Sequence, residues 1–212
     1  MVLATGSTLT TESDHLTLAE YLTYDDGSDI RYELVAGELV PMALPTGRHT
    51  EIQKLLSRVF DAEISRQQLA WATVQGGLGV QSPRGNRWDT VRIPDVAVLT
   101  GEQWQELQGR EALIRLNEPP PLLVVEVVSE SSRASDYRAK RAEYSVLGIG
   151  EYWIVDPLEE KVSLLLLHEG WYDPLELKGS DAVKSELFPE LELRAEQILA
   201  ADSGYSSEAK GS

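Results

Sequence analysis

The 212-residue chain contains no cysteine, which excludes disulfides, thiolate metal sites and thiol nucleophiles. Its three histidines, His15, His49 and His168, do not have the spacing of a metal-binding pair. No apolar run reaches the ~18 residues that a membrane-spanning helix needs, and the polar N-terminus lacks a basic signal start. Walker A and nucleophile-elbow sequences are also missing. We therefore expect a cytoplasmic protein that does not enter a membrane.

Basic residues are in the minority, with 19 Lys and Arg against 35 Asp and Glu and a net charge of −16. This balance opposes nonspecific binding to nucleic acid, which depends on cations that neutralise phosphates. Two short segments run against the trend. Residues 84–92 hold three arginines and only Asp89 as an acid, and residues 133–141 hold four cations and only Asp136. These cations either serve a site or are ordinary solvated side chains, and the sequence leaves both readings open.

Two apolar runs, residues 92–99 and 121–129, have the β-branched character of buried strands. Each contains one carboxylate, Asp95 in the first and Glu126 in the second. An unpaired buried carboxylate costs several kcal/mol, so each must meet a cation, a proton or a hydrogen-bond donor. A divalent metal between them would satisfy both. The alternative is a buried ion pair with Lys140 or Arg92.

A helix is predicted after the second run, from about Asp136 to Leu147. Tyr137, Lys140, Tyr144 and Leu147 recur every three or four residues and so share one face. That face should pack on the sheet. A lysine on the packing side of a helix needs an anionic partner, which the two strand carboxylates would supply.

The order of predicted elements indicates an α/β fold with a central mixed β-sheet flanked by helices. The helix between the Glu126 strand and the Tyr152 strand predicts that these two strands are parallel. Residues 70–81 are predicted to form one strand, with glycines marking a bulge. Residues 15–200 should form a single domain between disordered tails, 1–14 and 201–212.

Pro94-Asp95 followed by Glu126 resembles the PD-(D/E)xK nuclease signature. A narrower set of motifs resembles the Uma2 family, also called DUF820, of restriction-endonuclease-like proteins. That set comprises Arg31–Leu39, Val125–Ser129, the trio Asp136, Lys140 and Tyr144, and Gly150–Pro157. The parent signature places a lysine two residues after the glutamate, where this chain has Val128. In the Uma2-like pattern the lysine lies in the following helix, here Lys140.

The resemblance implies a restriction-endonuclease-like sandwich and metal-dependent hydrolysis of nucleic acid, with DNA as the expected substrate. It implies that Asp95, Glu126 and the Val127 carbonyl hold Mg²⁺ or Mn²⁺, with Lys140 beside them. Lys140 is expected to act as a charge rather than as a base, because nearby carboxylates raise a lysine pKa. An acidic residue from the N-terminal hairpin would complete the site. Glu33 is the candidate, and Glu38 is its competitor.

Contacts with substrate phosphate are assigned to Arg92, Arg138 and His49, although His49 could instead cap the helix that follows it. Symmetric cutting of both DNA strands would need a homodimer. Two other functions remain open at this point. One is a catalytically inactive nuclease-fold scaffold or binding module, which the acidic net charge and the displaced lysine favour. The other is a nuclease directed at RNA.

Overall fold

The structure, a computed structural model, describes residues 15–84, 87 and 89–201. The predicted tail 1–14 lies outside the described residues, as does the tail 201–212 after its first residue. The α-helices of the described part are α1 (Leu18–Leu22), α2 (Gly47–Arg66), α3 (Gly101–Leu107), α4 (Arg141–Leu147) and α5 (Ala195–Ala200). None of the helices in these ranges is both long enough and apolar enough to cross a bilayer.

Most strands belong to two sheets. The strands are β1 (Tyr32–Val35), β2 (Glu38–Pro41), β3 (Trp71–Gln75), β4 (Gly79–Gln81), β5 (Val91–Arg92), β6 (Val96–Thr100), β7 (Leu113–Ile114), β8 (Leu123–Val127), β9 (Glu151–Asp156), β10 (Lys161–His168), β11 (Trp171–Leu177), β12 (Ala182–Val183) and β13 (Leu193–Arg194). The larger sheet has the order β11-β10-β9-β8-β6-β3, and the smaller has the order β2-β1-β5-β4-β7. Strands β12 and β13 pair with each other.

The larger sheet lies between two layers. Along β8, Leu123, Val125 and Val127 point into a core formed with α2 and α5. Val124 points to the opposite core, which includes Tyr144 of α4. Strands β8 and β9 are parallel while the other neighbours in this sheet are antiparallel. The predicted α/β class, with a mixed sheet flanked by helices, is confirmed.

Local signals account for the ends of several helices. Thr17 and Glu20 form a reciprocal capping box at the start of α1. Thr46 caps α2, whose buried stripe of Ile52, Leu56, Phe60 and Ile64 follows the helical period. Gly148 ends α4 with φ of +79°, a conformation that favours glycine.

The structure corrects two strand predictions. Residues 70–81 form two strands rather than one, because the chain turns at Gly76 with φ of +56° and leaves the larger sheet for the smaller. The run 92–99 is also divided: Arg92 ends β5 in the smaller sheet, and β6 begins at Val96 in the larger one. Asp95 therefore lies in the short connection between the sheets.

The helix predicted from Asp136 begins as a π-helical segment, Ser135–Lys140, and becomes α-helical at Arg141. Asp136, Lys140 and Tyr144 recur every four residues and so share one face, and all three are buried. Tyr137 packs, partly buried, against the same core as Tyr144, as predicted, and its hydroxyl donates to Asp156 of β9 at 3.0 Å.

Candidate active site

Glu126 lies on the face of the larger sheet that the Lys140 helix covers. Lys140 Nζ is 2.7 Å from Glu126 Oε2, and the Tyr144 hydroxyl donates to Glu126 Oε1 at 2.8 Å. The helix thus contributes one donor to each carboxylate oxygen. Burial raises the pKa of Glu126 well above its ordinary value, although Lys140 acts in the opposite direction.

Lys140 is surrounded by three carboxylates. Besides Glu126, its Nζ lies 3.2 Å from Asp136 Oδ1 and 3.3 Å from Glu33 Oε1. Burial alone would lower the pKa of Lys140, but Glu126, Glu33 and Asp136 raise it above the ordinary value for lysine. The side chain is therefore an ammonium ion at neutral pH, and a proton-accepting role does not suit it.

Asp136 has no exposed surface, and burial raises its pKa above the ordinary value. Neither of its carboxylate oxygens makes a well-aligned hydrogen bond within the described part of the chain. Its nearest cation is the Lys140 ammonium at 3.2 Å. Asp136 therefore adds negative charge to the site, and its two carboxylate oxygens retain hydrogen-bonding capacity.

Arg92 connects the N-terminal hairpin to α4. Its guanidinium donates to Glu33 Oε2 at 2.9 Å and, in a bidentate contact, to Glu143 at 2.6 and 2.8 Å. Glu33 also accepts the Ile93 N–H at 3.1 Å, on the oxygen that faces Lys140. Burial would raise the pKa of Glu33, but Lys140 and Arg92 bring it below the ordinary value.

Asp95 is held by donors from two other elements. Its Oδ2 accepts the backbone N–H of Val127, the residue after Glu126, at 2.6 Å. This hydrogen bond fixes the position of the Asp95 carboxylate. Its Oδ1 accepts from Gln53 of α2 and lies 3.0 Å from His49 Nε2. The short connection between the two sheets thus delivers Asp95 to the end of β8.

These side chains meet at one cleft of about 1650 Å³. Asp95, Glu126, Val127 and Lys140 line it, as does Glu33. The competing Glu38 lies exposed at the start of β2. Five of the sequence-predicted site residues thus come together, drawn from the N-terminal hairpin, both strand runs and the helix.

The three predicted phosphate contacts have different surroundings. Arg138 is exposed at the cleft. The Arg92 guanidinium is engaged by Glu33 and Glu143, which favours a positioning role over contact with phosphate. His49 neither caps α2, which Thr46 does, nor lies on the open surface; it lies against Asp95.

Sequence reasoning missed two residues of the site, Gln53 and Glu143. Gln53 stands four residues after His49, so both reach Asp95 from one face of α2. Glu143 stands three residues after Lys140 and could have been found as a second charged position on the packing face. Its partner Arg92 is far away in sequence, and no local pattern indicates it.

In the described ranges, no three side chains of His, Asp or Glu form a ready-made metal cage. The donor set nevertheless fits a magnesium-type site, because Mg²⁺ uses one or two protein carboxylates together with waters and substrate phosphate. The charge of the cluster fits as well. The carboxylates of Glu33, Glu126, Asp136 and Glu143 contact the two buried cations Arg92 and Lys140, and Asp95 lines the same cleft beside His49.

A sheet-based α/β fold whose cleft joins Asp, Glu and Lys in this way defines a nuclease-like class of protein. The family model of Uma2, described as "Putative restriction endonuclease", matches residues 18–196. The chain belongs to the Uma2 family, as the sequence motifs predicted.

Two relatives can be compared directly. The uncharacterized protein sll1609 of Synechocystis sp. (strain ATCC 27184 / PCC 6803 / Kazusa) is 26% identical over 142 residues, which are 66% of this chain and 75% of that protein. The crystal structure of a putative nuclease belonging to DUF820 from Anabaena variabilis ATCC 29413 superposes with a TM-score of 0.70. That match covers 88% of this chain and 98% of the other at 19% identity, and it shows a shared fold.

Proposed function

We propose that the protein is an endonuclease that hydrolyses phosphodiester bonds of nucleic acid, with DNA as the expected substrate and Mg²⁺ or Mn²⁺ as cofactor. The observation that carries this proposal is the meeting of Asp95, Glu126 and Lys140 at one cleft. Asp95 is held by the Val127 N–H at 2.6 Å, and Lys140 reaches Glu126 at 2.7 Å. Membership of the Uma2 family supports the same reaction class.

Asp95, Glu126 and the Val127 carbonyl would hold the metal. When bound, the ion supplies a water of lowered pKa and polarises the scissile phosphate. The charge of the cluster supports such a cation, because five carboxylates gather near the buried Arg92 and Lys140 and the more exposed Arg84, which lies 4.0 Å from Glu143. Excess negative charge in a buried region is costly unless a cation or protons offset it.

The remaining residues divide into charge stabilisation and positioning. Lys140, charged and fixed by Glu126, would stabilise the negative charge that develops on the phosphate in the transition state. Glu33 fixes the ammonium from its other side at 3.3 Å. His49 and Gln53 hold Asp95, and Arg138, exposed at the cleft, is placed to contact a neighbouring phosphate.

The test is cleavage of supercoiled plasmid, single-stranded DNA and RNA with Mg²⁺ or Mn²⁺. Asp95→Asn should reduce cleavage by at least about 100-fold, since it removes a ligand charge. Asp173→Asn is the matched control, because Asp173 is exposed on β11. Nicking of plasmid would indicate action by one copy, and linearisation would indicate a homodimer. Cleavage by Asp95→Asn at the wild-type rate would refute the assignment.

One observation favours a second candidate, a noncatalytic nuclease-fold module. Both oxygens of Asp95 and both oxygens of Glu126 already accept a protein donor. A module of this kind has no need of a metal. Titration with Mn²⁺, followed by electron paramagnetic resonance, separates the two candidates: a nuclease should bind Mn²⁺ through Asp95 and Glu126, and a module should not.

A further inference from the structure

The cleft has an apolar wall that the proposed chemistry does not use. Eight large hydrophobic side chains are exposed in the described part of the chain, and four of them line this one cleft. The four are Ile30, Val40, Leu44 and Leu158, and Leu44 is 96% exposed. Single exposed hydrophobic residues are common, but a cluster at the mouth of a site indicates a binding surface.

The apolar wall comes from two sides of the cleft. Ile30 precedes β1, Val40 lies on β2, and Leu44 follows it in the connection to α2. Leu158 lies far from these three residues in sequence, in the turn after β9. All four line the same cleft as Glu126 and Lys140, so a ligand long enough to fill the cleft from the candidate active site outward would contact them.

The exposed charges of the cleft differ in sign from the protein as a whole. The net charge of the chain is −16. The exposed charged side chains that line the cleft are four arginines against two acids: Arg31, Arg48, Arg84 and Arg138 against Asp29 and Glu130. A polyanion with apolar parts complements this combination, and a purely apolar partner does not.

We propose that the cleft binds an unpaired segment of nucleic acid, with unstacked bases against the apolar wall and phosphates near the arginines. This inference rests on the proposed function and narrows its substrate class to single-stranded or locally unwound nucleic acid. In an intact duplex the base faces are stacked inside, so aliphatic side chains can reach them only where the bases are unstacked.

The charge of the chain also favours an unpaired strand over a duplex. Duplex DNA carries a dense row of phosphates, and proteins that bind it nonspecifically depend on many cations. This chain has 19 basic residues against 35 acidic ones, and the exposed cations that line the cleft are four arginines. Contact with base faces supplies affinity that does not depend on charge, and single strands offer such faces to side chains.

The experiment measures binding of the full chain by fluorescence anisotropy, at one fixed salt concentration and with Ca²⁺ in place of the catalytic metal. The probes are DNA strands of about 20 nucleotides, enough to cover a single-strand site. One sequence is used as a single strand, a duplex and a duplex with a central unpaired bubble, and an RNA strand of that sequence is added. The variants are Leu44→Ser and Leu158→Ser. Leu175→Ser is the matched control, because Leu158 and Leu175 are both 51% exposed and Leu175 lies outside the cleft.

We expect the strand and the bubble to bind at least about tenfold more tightly than the duplex. Leu44→Ser and Leu158→Ser should each weaken binding of the unpaired probes about fivefold to tenfold, as expected for losing one buried aliphatic contact. Leu175→Ser should change nothing. The tighter of the DNA and RNA strands identifies the sugar that the site prefers.

Duplex binding as tight as strand binding, or variants that bind like Leu175→Ser, would overturn the inference and leave the proposed nuclease function standing. Failure of every probe to bind at low salt would count against the nuclease function itself. Sedimentation of each variant tests whether a second copy of the chain, instead of nucleic acid, binds the apolar wall. If Leu44→Ser converts a dimer into a monomer, a second copy of the chain covers this surface and the inference is wrong.

Discussion

Arg92 of β5 and Glu143 of α4 form a bidentate ion pair that is almost completely buried. The guanidinium donates to the two carboxylate oxygens at 2.6 and 2.8 Å, and the exposed fractions of the side chains are 2% and 4%. The pair joins the smaller sheet to α4. It also fixes the arginine that holds Glu33, so the geometry around Lys140 depends on it.

Removal of one partner should therefore be costly. Glu143→Ala leaves a buried guanidinium with half of its partners, and we expect the free energy of unfolding to fall by about 3–5 kcal/mol. Urea titration followed by circular dichroism measures this change. Glu190→Ala is the control, because it breaks the exposed pair with Arg66 and should leave the urea midpoint nearly unchanged. If Glu143→Ala and Glu190→Ala lowered the urea midpoint equally, burial would not explain the cost of breaking the Arg92–Glu143 pair.

The Tyr144 ring packs in the core, and its hydroxyl donates a hydrogen bond to the Glu126 carboxylate. Tyr144→Phe keeps the ring, which packs edge-on against Tyr152, and removes the donor at 2.8 Å. We expect a loss of about 1–3 kcal/mol in unfolding free energy, since one oxygen of a buried carboxylate loses its donor. Tyr172→Phe removes a comparable buried hydroxyl, which donates to the Ile149 carbonyl and does not line the cleft. Nuclease activity should fall in Tyr144→Phe and persist in Tyr172→Phe.

Replacement of Lys140 by methionine tests the role of its positive charge separately from the role of its side-chain length. Lys140→Met removes the ammonium from three carboxylates while retaining a long side chain, so we expect cleavage to be lost. Binding of Mn²⁺ should persist or tighten, because Glu126 no longer has a competing cation at 2.7 Å. Isothermal titration measures the affinity. If Lys140→Met loses Mn²⁺ binding while remaining folded, the ammonium organises the site instead of competing for it.

Glu151 and Glu118 should give opposite dependences of stability on pH. Burial raises the pKa of Glu151 above 4.5, despite donors from Trp153, Ser185 and the backbone of Leu187. The unfolded chain therefore loses this proton first, and the contribution of Glu151 to stability falls as pH rises from about 4.5. Burial would also raise the pKa of Glu118, but its hydrogen bonds hold the pKa below 4.5, so its contribution is lost as the pH falls.

Thermal unfolding between pH 2 and pH 8, a range of about two units or more on each side of the ordinary glutamate pKa, tests both signs. Glu151→Gln should flatten the decline above pH 4.5, and Glu118→Gln should flatten the decline below it. Glu151→Gln should also cost about 2 kcal/mol at low pH, because an amide N–H then faces N–H donors. Parallel pH profiles for the two variants would show that these carboxylates do not titrate as described.

Short-range patterns predicted the part of the site that depends on strand alternation and helical spacing. A carboxylate within each apolar run and a lysine on the packing face of a helix suggested that Asp95, Glu126 and Lys140 lie close together, and the resemblance to the Uma2 family selected the same three residues. The same reasoning put Asp136 one turn before Lys140, and the ammonium does lie 3.2 Å from it.

The contacts that sequence reasoning missed join elements with no shared periodicity. Gln53 reaches Asp95 across 42 residues, and Glu143 reaches Arg92 across 51. The change of sheet within residues 92–99 was also missed, because alternation of apolar residues is the same whichever sheet a strand joins. The π-helical start of the helix was also missed, because an apolar pattern does not distinguish a π-helical turn from an α-helical one.

The three residues Ile93 to Asp95 carry the chain from one sheet to the other, with Arg92 fixed at one end and Val96 at the other. Asp95 is held by the Val127 N–H, and Arg92 is held by Glu33 and Glu143, so one inserted or deleted residue between them would break one of these contacts. The link should therefore accept another side chain at Ile93 but no change of length. Its length couples the position of Asp95 in the cleft to the ion pair that joins the smaller sheet to α4.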